Sequence, residues 1–160
     1  MLTPETKRFV TSMRPYRSRD REAVFRLLSF LPSLYPKGAE WLDGRLEDVL
    51  RGRARCTLAF ADVRLAGVTI ETPKGKYTTK LSTIWVAPEH RASGIGTALL
   101  DACRRGWERS GVRSAYVTAD VRAGQALWPV LKGLSFRPTN VEKDRYGEGR
   151  DETVFHWSLG

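Results

Sequence analysis

The chain has 160 residues, of which 41% are hydrophobic and 28% charged, a composition typical of one globular domain spanning residues 1–160. This balance argues against a disordered chain, and no apolar run approaches the roughly 20 residues that a membrane-spanning helix needs. The first ten residues lack the apolar core of a signal peptide, so we expect a cytoplasmic protein with no membrane partner. We expect residues 1–10 to form a flexible N-terminal segment.

The charge of the chain is strongly positive. Lys and Arg number 27 against 18 Asp and Glu, which gives a net charge of +9. Such a field attracts polyanions, and arginines crowd residues 14–26 and alternate over 51–55. No recognisable nucleic-acid motif accompanies them, so a solvated surface and a phosphorylated ligand explain the charge better than a nucleic-acid site does.

The cysteines and histidines are few and isolated. Cys56 and Cys103 have no Cys or His neighbour at metal-ligand spacing, and His90 is equally remote from any such pattern. We therefore expect two buried thiols, no disulfide framework and no metal cofactor.

The N-terminal part of the chain predicts one strand and two helices. Residues 10–17 suit a strand, and Ser18 or Asp20 is placed to cap the first helix. The prolines in 31–38 predict a loop. A second helix then ends at Gly52 and has one apolar side, formed by Trp41, Leu42, Leu46, Val49 and Leu50.

The rest of the chain alternates between strands and helices, with a tight turn near Asp62, and this alternation predicts a mixed α/β domain. The predicted strands are 54–61, 65–72, 77–86, 113–119, 134–141 and 152–159, the predicted helices are 94–110 and 122–132, and residues 142–151 form a loop.

A glycine-rich turn precedes the longest predicted helix. The strand L-S-T-I-W-V is followed by A-P-E-H and then by R-A-S-G-I-G, residues 91–96. At a helix N-terminus several backbone N–H groups have no intrahelical partner and the helix dipole adds partial positive charge, which together suit a phosphate. Gly94 and Gly96 let a phosphate approach the backbone, and Arg91 adds a formal charge beside it.

This stretch resembles the GNAT superfamily of acyl-CoA-dependent N-acyltransferases, whose motif is Arg or Gln, two residues, Gly, one residue, then Gly or Ala. The resemblance implies a single-domain GNAT-like fold, with a central mixed twisted sheet of about seven strands flanked by about four helices. It also implies that acetyl-CoA is the co-substrate, with its pyrophosphate on the loop and its pantetheine arm on the preceding strand. The implied cofactor-binding residues are Trp85, Val86, Arg91, Ala92, Ser93, Gly94, Ile95, Gly96 and Thr97.

Three further stretches carry the same resemblance. Residues 13–24 resemble the family's first strand and the start of its first helix, and residues 65–68 resemble its third strand. The sequence L-K-G-L-S-F at 131–136 resembles the end of the final helix followed by Leu-Gly-Phe, with Ser135 in place of the glycine. The order of elements agrees along nearly the whole chain.

Two other interpretations of the glycine pair are weaker. The first is a plain turn before an amphipathic helix. The second is a dinucleotide-binding fold, because G-I-G follows a strand and Asp120 ends the next one. Against it, Leu99 occupies the third small-residue position, and seven residues separate the strand from the first glycine.

The resemblance leaves proton transfer without its usual side chains. Many family members have a glutamate on the fourth strand and a tyrosine in the final helix, and here Lys80 and Leu131 occupy those positions. Glu71, acting through water, and Tyr146 are the candidate base and acid, and water or the amine's own ionisation is the alternative. His156 is expected to be paired into the structure.

The sequence therefore predicts an acetyl-CoA-dependent N-acetyltransferase whose amine acceptor attacks directly in a ternary complex. We expect Tyr35 and Trp41 on the acceptor side, Lys80 against an anionic substrate, and a backbone N–H near Val86 as the donor to the carbonyl oxygen. The alternatives are a CoA-binding regulatory module without turnover, and an acetyltransferase acting on nucleic acid or a nucleic-acid-bound amine. We expect a monomer or a homodimer.

Overall fold

The computed structural model describes residues 12–159, apart from the side chains of residues 121 and 122, and the segment 1–10 lies outside the described residues. The strands form one seven-stranded mixed sheet in the order β1-β2-β3-β4-β5-β7-β6. The predicted α/β fold is confirmed, and the described residues include four α-helices of seven or more residues and one of a single turn. The strands are β1 (Ser12–Pro15), β2 (Arg55–Ala61), β3 (Arg64–Pro73), β4 (Thr78–Val86), β5 (Ser114–Asp120), β6 (Arg137–Glu142) and β7 (Glu152–Ser158), and the helices are α1 (Arg21–Leu27), α2 (Leu31–Leu34), α3 (Gly38–Leu50), α4 (Ile95–Ser110) and α5 (Val121–Gly133).

Strand pairing is both parallel and antiparallel. β4 and β5 run parallel, with Lys80 opposite Tyr116. The pairs β1–β2, β2–β3, β5–β7 and β6–β7 are antiparallel. The chain divides into two compact units. Of the described residues, unit 1 comprises 12–72 and 83–99, and unit 2 comprises 73–82 and 100–159.

Unit 1 has a core built from one face of each helix and the sheet strands. Apolar side chains recur at helical spacing in α1 and α3, so each of these helices buries one face. β3 is buried continuously over residues 66–72, so both of its faces are covered. The buried core residues are Tyr16, Val24, Leu28, Leu31, Leu42, Leu46, Cys56, Leu58, Val68 and Ile70.

The segment predicted as a loop at 31–38 contains the one-turn helix α2, so that prediction is wrong in part. Pro32 lies in the first turn of α2, where a helix tolerates proline because no intrahelical partner for its N–H is needed. Leu31 is buried in the unit 1 core, which holds this turn in place.

Asp20 connects β1 to α1 by ion pairing rather than by capping the helix. Its carboxylate accepts two hydrogen bonds from the Arg14 guanidinium, at 2.7 and 2.8 Å, and one from the backbone N–H of Arg17 at 2.8 Å. Asp20 occupies the N-cap position of α1 but makes no side-chain hydrogen bond to that helix, which corrects the predicted cap. The hydrogen bond from Arg14 is the main cause that lowers the pKa of Asp20.

Unit 2 has an aromatic core and a tightly closed helix end. Trp107 of α4 packs against Trp157 and Phe136, with ring centroids 5.2 and 6.1 Å apart. At the end of α5 the N–H of Phe136 donates to Leu131 O and the N–H of Ser135 donates to Lys132 O, the paired hydrogen bonds of a Schellman motif. Because this cap uses 134–136, β6 begins later than predicted.

Candidate functional site

The start of α4, which follows the glycine-rich loop, is anchored to the core of unit 1. Ile95 and Leu99, in the first turns of α4, are buried against Ala59 and Ala66. A Cβ atom at Gly67 would lie 2.9 Å from Leu99 Cδ1 and 3.0 Å from Ile95 Cγ2, so only glycine lets α4 pack this closely on β3. The position of the helix N-terminus is therefore set by buried contacts.

The loop itself turns through backbone conformations that favour glycine. A 3-10 turn at Pro88–His90 leads to Ala92, whose φ is +59°, and to Gly94, whose φ is +89°. The Ser93 hydroxyl donates a hydrogen bond to His90 O, which braces the turn from inside. Nothing lies within 4 Å of the place where a Gly94 Cβ would stand, so the loop faces open space there.

The start of α4 offers an anion site at this open face. Gly94 O accepts the first helical hydrogen bond, from Ala98 N at 2.9 Å. The N–H groups of residues 95–97 therefore have no acceptor within the helix. Those N–H groups and the helix dipole suit a phosphate or pyrophosphate. A Cβ at Gly96 would meet only Val86 Cγ2, at 3.8 Å, so alanine would fit at this position as well. The residues present fit the pyrophosphate of CoA.

Arg91 is held against the strand that precedes the loop. Its Nε donates a hydrogen bond to Val86 O at 3.0 Å, and its guanidinium carbon lies 4.4 Å from the centre of the Trp85 ring. The Trp85 ring in turn lies 4.2 Å from that of Phe30. Arg91 therefore fixes the junction of β4 and the loop through Nε, and its two terminal nitrogens remain for an anion.

The sequence-derived base and acid lie in different units. Glu71, in β3 of unit 1, is buried at 5% exposure and sits opposite Arg55 on β2. The charge of Glu71 also acts on the Cys56 thiol. Burial is the main cause that raises the pKa of this thiol to about 12, and the charges of Asp20 and Glu71 have smaller effects in the same direction. Tyr146, in unit 2, accepts a hydrogen bond at Oη from Arg145 Nε at 3.1 Å.

The two positions that the resemblance assigns to catalysis have other surroundings. Lys80 is half-buried in β4, and burial lowers its pKa, as do the charges of Arg145 and Lys74. Leu131 is fully buried and accepts the capping hydrogen bond of the α5 end, so it has a packing role. His156 pairs with Thr139 through Nδ1 at 2.6 Å, as expected of a histidine paired into the structure.

The two residues expected on the acceptor side lie in unit 1. Tyr35 follows α2 and packs partly buried against the core of this unit. Trp41, in α3, is 37% exposed, so it is less buried than its place on the apolar side of the predicted helix suggests.

A row of three carboxylates in unit 2 escaped the sequence analysis. Asp120 of β5 is paired with Glu152 of β7, and Glu152 is also paired with Glu142 of β6. Directly paired residues project from the same face of a sheet, so the three side chains are neighbours. Their alignment depends on strand register, which no local pattern in the sequence reveals.

Within the described residues, no group of three His, Cys, Asp or Glu side chains is placed to hold a metal ion. None of the described helices combines the length and hydrophobicity needed to cross a bilayer. Both cysteines are buried and unpaired with each other.

Solved structures share this fold. A GNAT-family protein from Desulfovibrio desulfuricans has a TM-score of 0.80 at 21% identity, covering 93% of this chain and 99% of its own. A GNAT acetyltransferase from Elizabethkingia anophelis, solved with acetyl-CoA bound, has a TM-score of 0.71 at 18% identity, with coverages of 92% and 97%. Arabidopsis thaliana Naa50, solved with the bisubstrate analogue CoA-Ac-MVNAL, has a TM-score of 0.77 at 18% identity, with coverages of 92% and 98%.

At these low sequence identities, the structural similarity establishes the fold alone. No curated protein matches the sequence. The family model described as "Acetyltransferase (GNAT) family" matches residues 21–134, more than half of the chain. The chain therefore belongs to the acetyltransferase (GNAT) family.

Proposed function

We propose that this protein is an N-acetyltransferase that moves the acetyl group of acetyl-CoA to an amine by direct attack in a ternary complex. The observation that carries the proposal is the open, glycine-lined N-terminus of α4, whose backbone N–H groups at 95–97 suit a pyrophosphate. Solved relatives of the same fold contain acetyl-CoA or a CoA-peptide analogue, which supports the same ligand here.

The proposed cofactor contacts follow from the loop geometry. Residues 91–97 bind the pyrophosphate through backbone N–H groups, and the terminal nitrogens of Arg91 add positive charge. The backbone of Trp85 and Val86, at the end of β4, pairs with the pantetheine arm. A backbone N–H near Val86 stabilises the charge that develops on the thioester oxygen.

Further residues are proposed for the acceptor side and for proton transfer. Tyr35 and Trp41 contribute to the acceptor side, and Lys80 contacts an anionic part of the substrate. For proton transfer, the sequence offers Glu71, acting through water, and Tyr146 as base and acid. The alternative, which we favour, is that water or the amine's own ionisation removes the proton. We place the reaction in the cytoplasm, since the two unbridged cysteines suit a reducing compartment.

Calorimetric titration with CoA, followed by measurement of thiol release from acetyl-CoA with a panel of primary amines, tests this function. We expect CoA binding, and thiol release that depends on the amine. Binding without amine-dependent release would replace the enzyme by the second class of protein, a CoA-binding regulatory module. If CoA does not bind, both the enzyme and the CoA-binding regulatory module are excluded.

A nucleic-acid-linked acceptor is the second candidate, and one surface of unit 2 favours it. Tyr77 is 47% exposed, and Lys76 Nζ and Arg113 Cζ each lie 5.3 Å from its ring centre. The backbone N–H of Arg113 donates to Tyr77 O at 2.7 Å, which holds the segments 73–77 and 109–114 together. Neither segment contains an acidic residue. An exposed ring flanked by cations suits a stacked base and its phosphates.

Fluorescence anisotropy with a short single-stranded RNA measures the binding affinity that this second candidate requires. Replacing Tyr77 by Ala in combination with Arg113→Glu should weaken binding at least tenfold, with a reduced dependence of affinity on salt. Arg53→Glu, an exposed site in unit 1, makes the same charge change and serves as the control. Equal losses in both proteins would show that only net charge matters, and no binding at low salt would end the candidate.

A further inference from the structure

The sheet of unit 2 has one buried face and one polar face, because side chains alternate between the two faces along each strand. Trp107 of α4 and Trp128 of α5 pack on the buried face, which includes Leu81, Ala115, Val117, Ala119, Phe155 and Trp157. The opposite face carries Lys80, Tyr116 and His156, which are partly exposed, and Arg137, which is exposed. Solvent and small ligands therefore reach these four side chains.

The four residues form one row across four strands. Lys80 of β4 is paired with Tyr116 of β5, Tyr116 with His156 of β7, and His156 with Arg137 of β6. Directly paired residues project from the same face of a sheet. Since neighbouring strands lie about 4.8 Å apart, the row spans roughly 14 Å, with a cation at each end. The Tyr116 and His156 rings lie between them, with centroids 5.7 Å apart. All four residues belong to unit 2.

The donor groups of this row are not engaged by the described part of the chain, residues 12–159. Lys80 Nζ, Tyr116 Oη and the Arg137 guanidinium have neither a hydrogen bond nor an ion pair there. His156 is held by Thr139 through Nδ1 at 2.6 Å, which leaves Nε2 for another partner. Four groups that can donate hydrogen bonds are therefore available to one ligand.

The charges around Lys80 favour an anion. Burial is the largest cause that lowers the pKa of Lys80, and the positive charges of Arg145 and Lys74 lower it further. The negative charges of Glu142 and Glu152 raise it, but their effects are smaller. Glu142 is already ion-paired with Arg145. An anion beside Lys80 would offset the repulsion among the three cations.

We infer that the row Lys80–Tyr116–His156–Arg137 binds an oxyanion group, a carboxylate or a phosphate. The guanidinium fork of Arg137 and the ammonium group of Lys80 supply charge-assisted hydrogen bonds, and Tyr116 Oη and His156 Nε2 supply donors between them. The binding itself requires unit 2 alone. The identity of the ligand rests on the proposed acetyl transfer, in which the anion belongs to the acceptor, so that the substrate class is an amine that carries a carboxylate or a phosphate.

NMR spectroscopy can measure this binding without CoA and without turnover. The chain has two histidines, His90 and His156, so in protein labelled with ¹⁵N at histidine the signal that His156→Gln removes belongs to His156. The probes are butylamine, 4-aminobutyrate and 3-aminopropylphosphonate, which carry the same amine on a three-carbon chain that ends in methyl, carboxylate or phosphonate. At constant pH and ionic strength, at least one anionic probe should shift the His156 signal saturably, and butylamine should not.

The probe that binds decides between carboxylate and phosphate. If neither anionic probe shifts the signal saturably at tens of millimolar, or if butylamine shifts it equally, the inference is overturned.

Substitutions distinguish this row from the net charge of the protein. Lys80→Met keeps the length of the side chain but removes its charge, and should weaken binding of the anionic probe about tenfold. Lys80→Arg restores the charge and should stay within about threefold of wild type. Lys132→Met, at an exposed position of α5, makes the same charge change away from the row and is the control. Equal losses in Lys80→Met and Lys132→Met would overturn the assignment to the row.

Turnover separates this inference from the proposed function. The anionic probe that binds should exceed butylamine in kcat/KM by about tenfold or more. Lys80→Met should raise KM for that probe about tenfold with kcat within about threefold, and should leave KM for butylamine unchanged. Equal kcat/KM for all three probes would overturn the assigned acceptor class and leave acetyl transfer in place. If CoA binds but no amine is acetylated, the proposed function fails, and the His156 titration still decides whether the row binds an anion.

Discussion

The backbone of Gly67 lies so close to Leu99 that a Cβ atom at Gly67 would come within 2.9 Å of Leu99 Cδ1. The same Cβ would stand 3.3 Å from Trp85 O, a backbone atom that cannot rotate away. Gly67→Ala should therefore displace the first turns of α4 and lower the free energy of unfolding by about 1–3 kcal/mol. CoA affinity, measured by calorimetry, should fall about tenfold, equivalent to about 1.4 kcal/mol, although residue 67 does not contact the ligand.

Gly44→Ala is the control for this substitution, because nothing lies within 4 Å of the Cβ position at Gly44 in α3. Alanine there should keep CoA affinity and raise stability by up to about 1 kcal/mol, because glycine is a poor helix former. Wild-type CoA affinity in Gly67→Ala would show that the helix N-terminus is not positioned by this contact.

Gly94 and Arg91 should contribute unequally to CoA binding. Gly94→Asp places a side chain at a φ of +89° and adds negative charge where the phosphate approaches, so several backbone contacts are lost together. Arg91→Ala removes a partly exposed charge worth about 1 kcal/mol, which is roughly fivefold in affinity. Calorimetry should therefore rank the loss in Gly94→Asp above the loss in Arg91→Ala.

Gly96→Ala should bind CoA within about threefold of wild type, since its Cβ meets only Val86 Cγ2 at ordinary contact distance. The reverse order for Gly94→Asp and Arg91→Ala would mean that the arginine side chain, rather than the loop backbone, dominates binding.

Ser135 holds the left-handed position of the α5 cap, with a φ of +70°. Glycine adopts this conformation without the penalty of about 1–2 kcal/mol that a side chain incurs, but it loses more entropy on folding. Ser135→Gly should therefore raise the free energy of unfolding by about 0.5–1 kcal/mol in urea denaturation. Ser110→Gly, within α4, is the contrasting change and should destabilise. A destabilised Ser135→Gly would contradict the importance of this φ angle.

The parts of the site that sequence reveals are those made from consecutive residues. The strand, loop and helix around residues 91–96 are local, and the order of their elements predicted an anion site at the start of α4. Glu152 is different, because its environment is created by pairing with Asp120 and Glu142, one of them 32 residues away along the chain. Neither that register nor the burial of Glu71 inside β3 leaves a periodic pattern in the sequence.

Asp20 should stabilise the protein in a pH-dependent way. Its pKa is lowered in the folded state, mainly by the hydrogen bond from Arg14, so its contribution is present above the ordinary pKa of aspartate and is lost as the pH falls through the lowered value. Asp20→Asn should lower the free energy of unfolding by about 1–2 kcal/mol near neutral pH, and this difference should shrink in acid. Urea denaturation at several pH values measures it.

Asp43→Asn is the matched control, because the ion pair of Asp43 with Arg21 is exposed on both sides and therefore contributes little to stability. A difference between Asp20→Asn and wild type that stays constant as the pH falls would show that the ion pair with Arg14 is not its cause.

Glu71 and Tyr146, the base and acid that the sequence suggests, can be tested by their effect on turnover. Glu71 is buried within β3, and Tyr146 Oη already accepts a hydrogen bond from Arg145, which disfavours both as proton carriers. We expect Glu71→Gln and Tyr146→Phe each to keep kcat within about threefold of wild type, with unchanged CoA affinity, because removing a positioned acid or base costs about 100-fold or more. Steady-state thiol release across a range of pH measures both. A loss of that size in either variant, with CoA affinity intact, would assign the proton to that residue. If both substitutions leave the rate near wild type, the acetyl transfer depends on holding the two substrates together and on the backbone N–H near Val86.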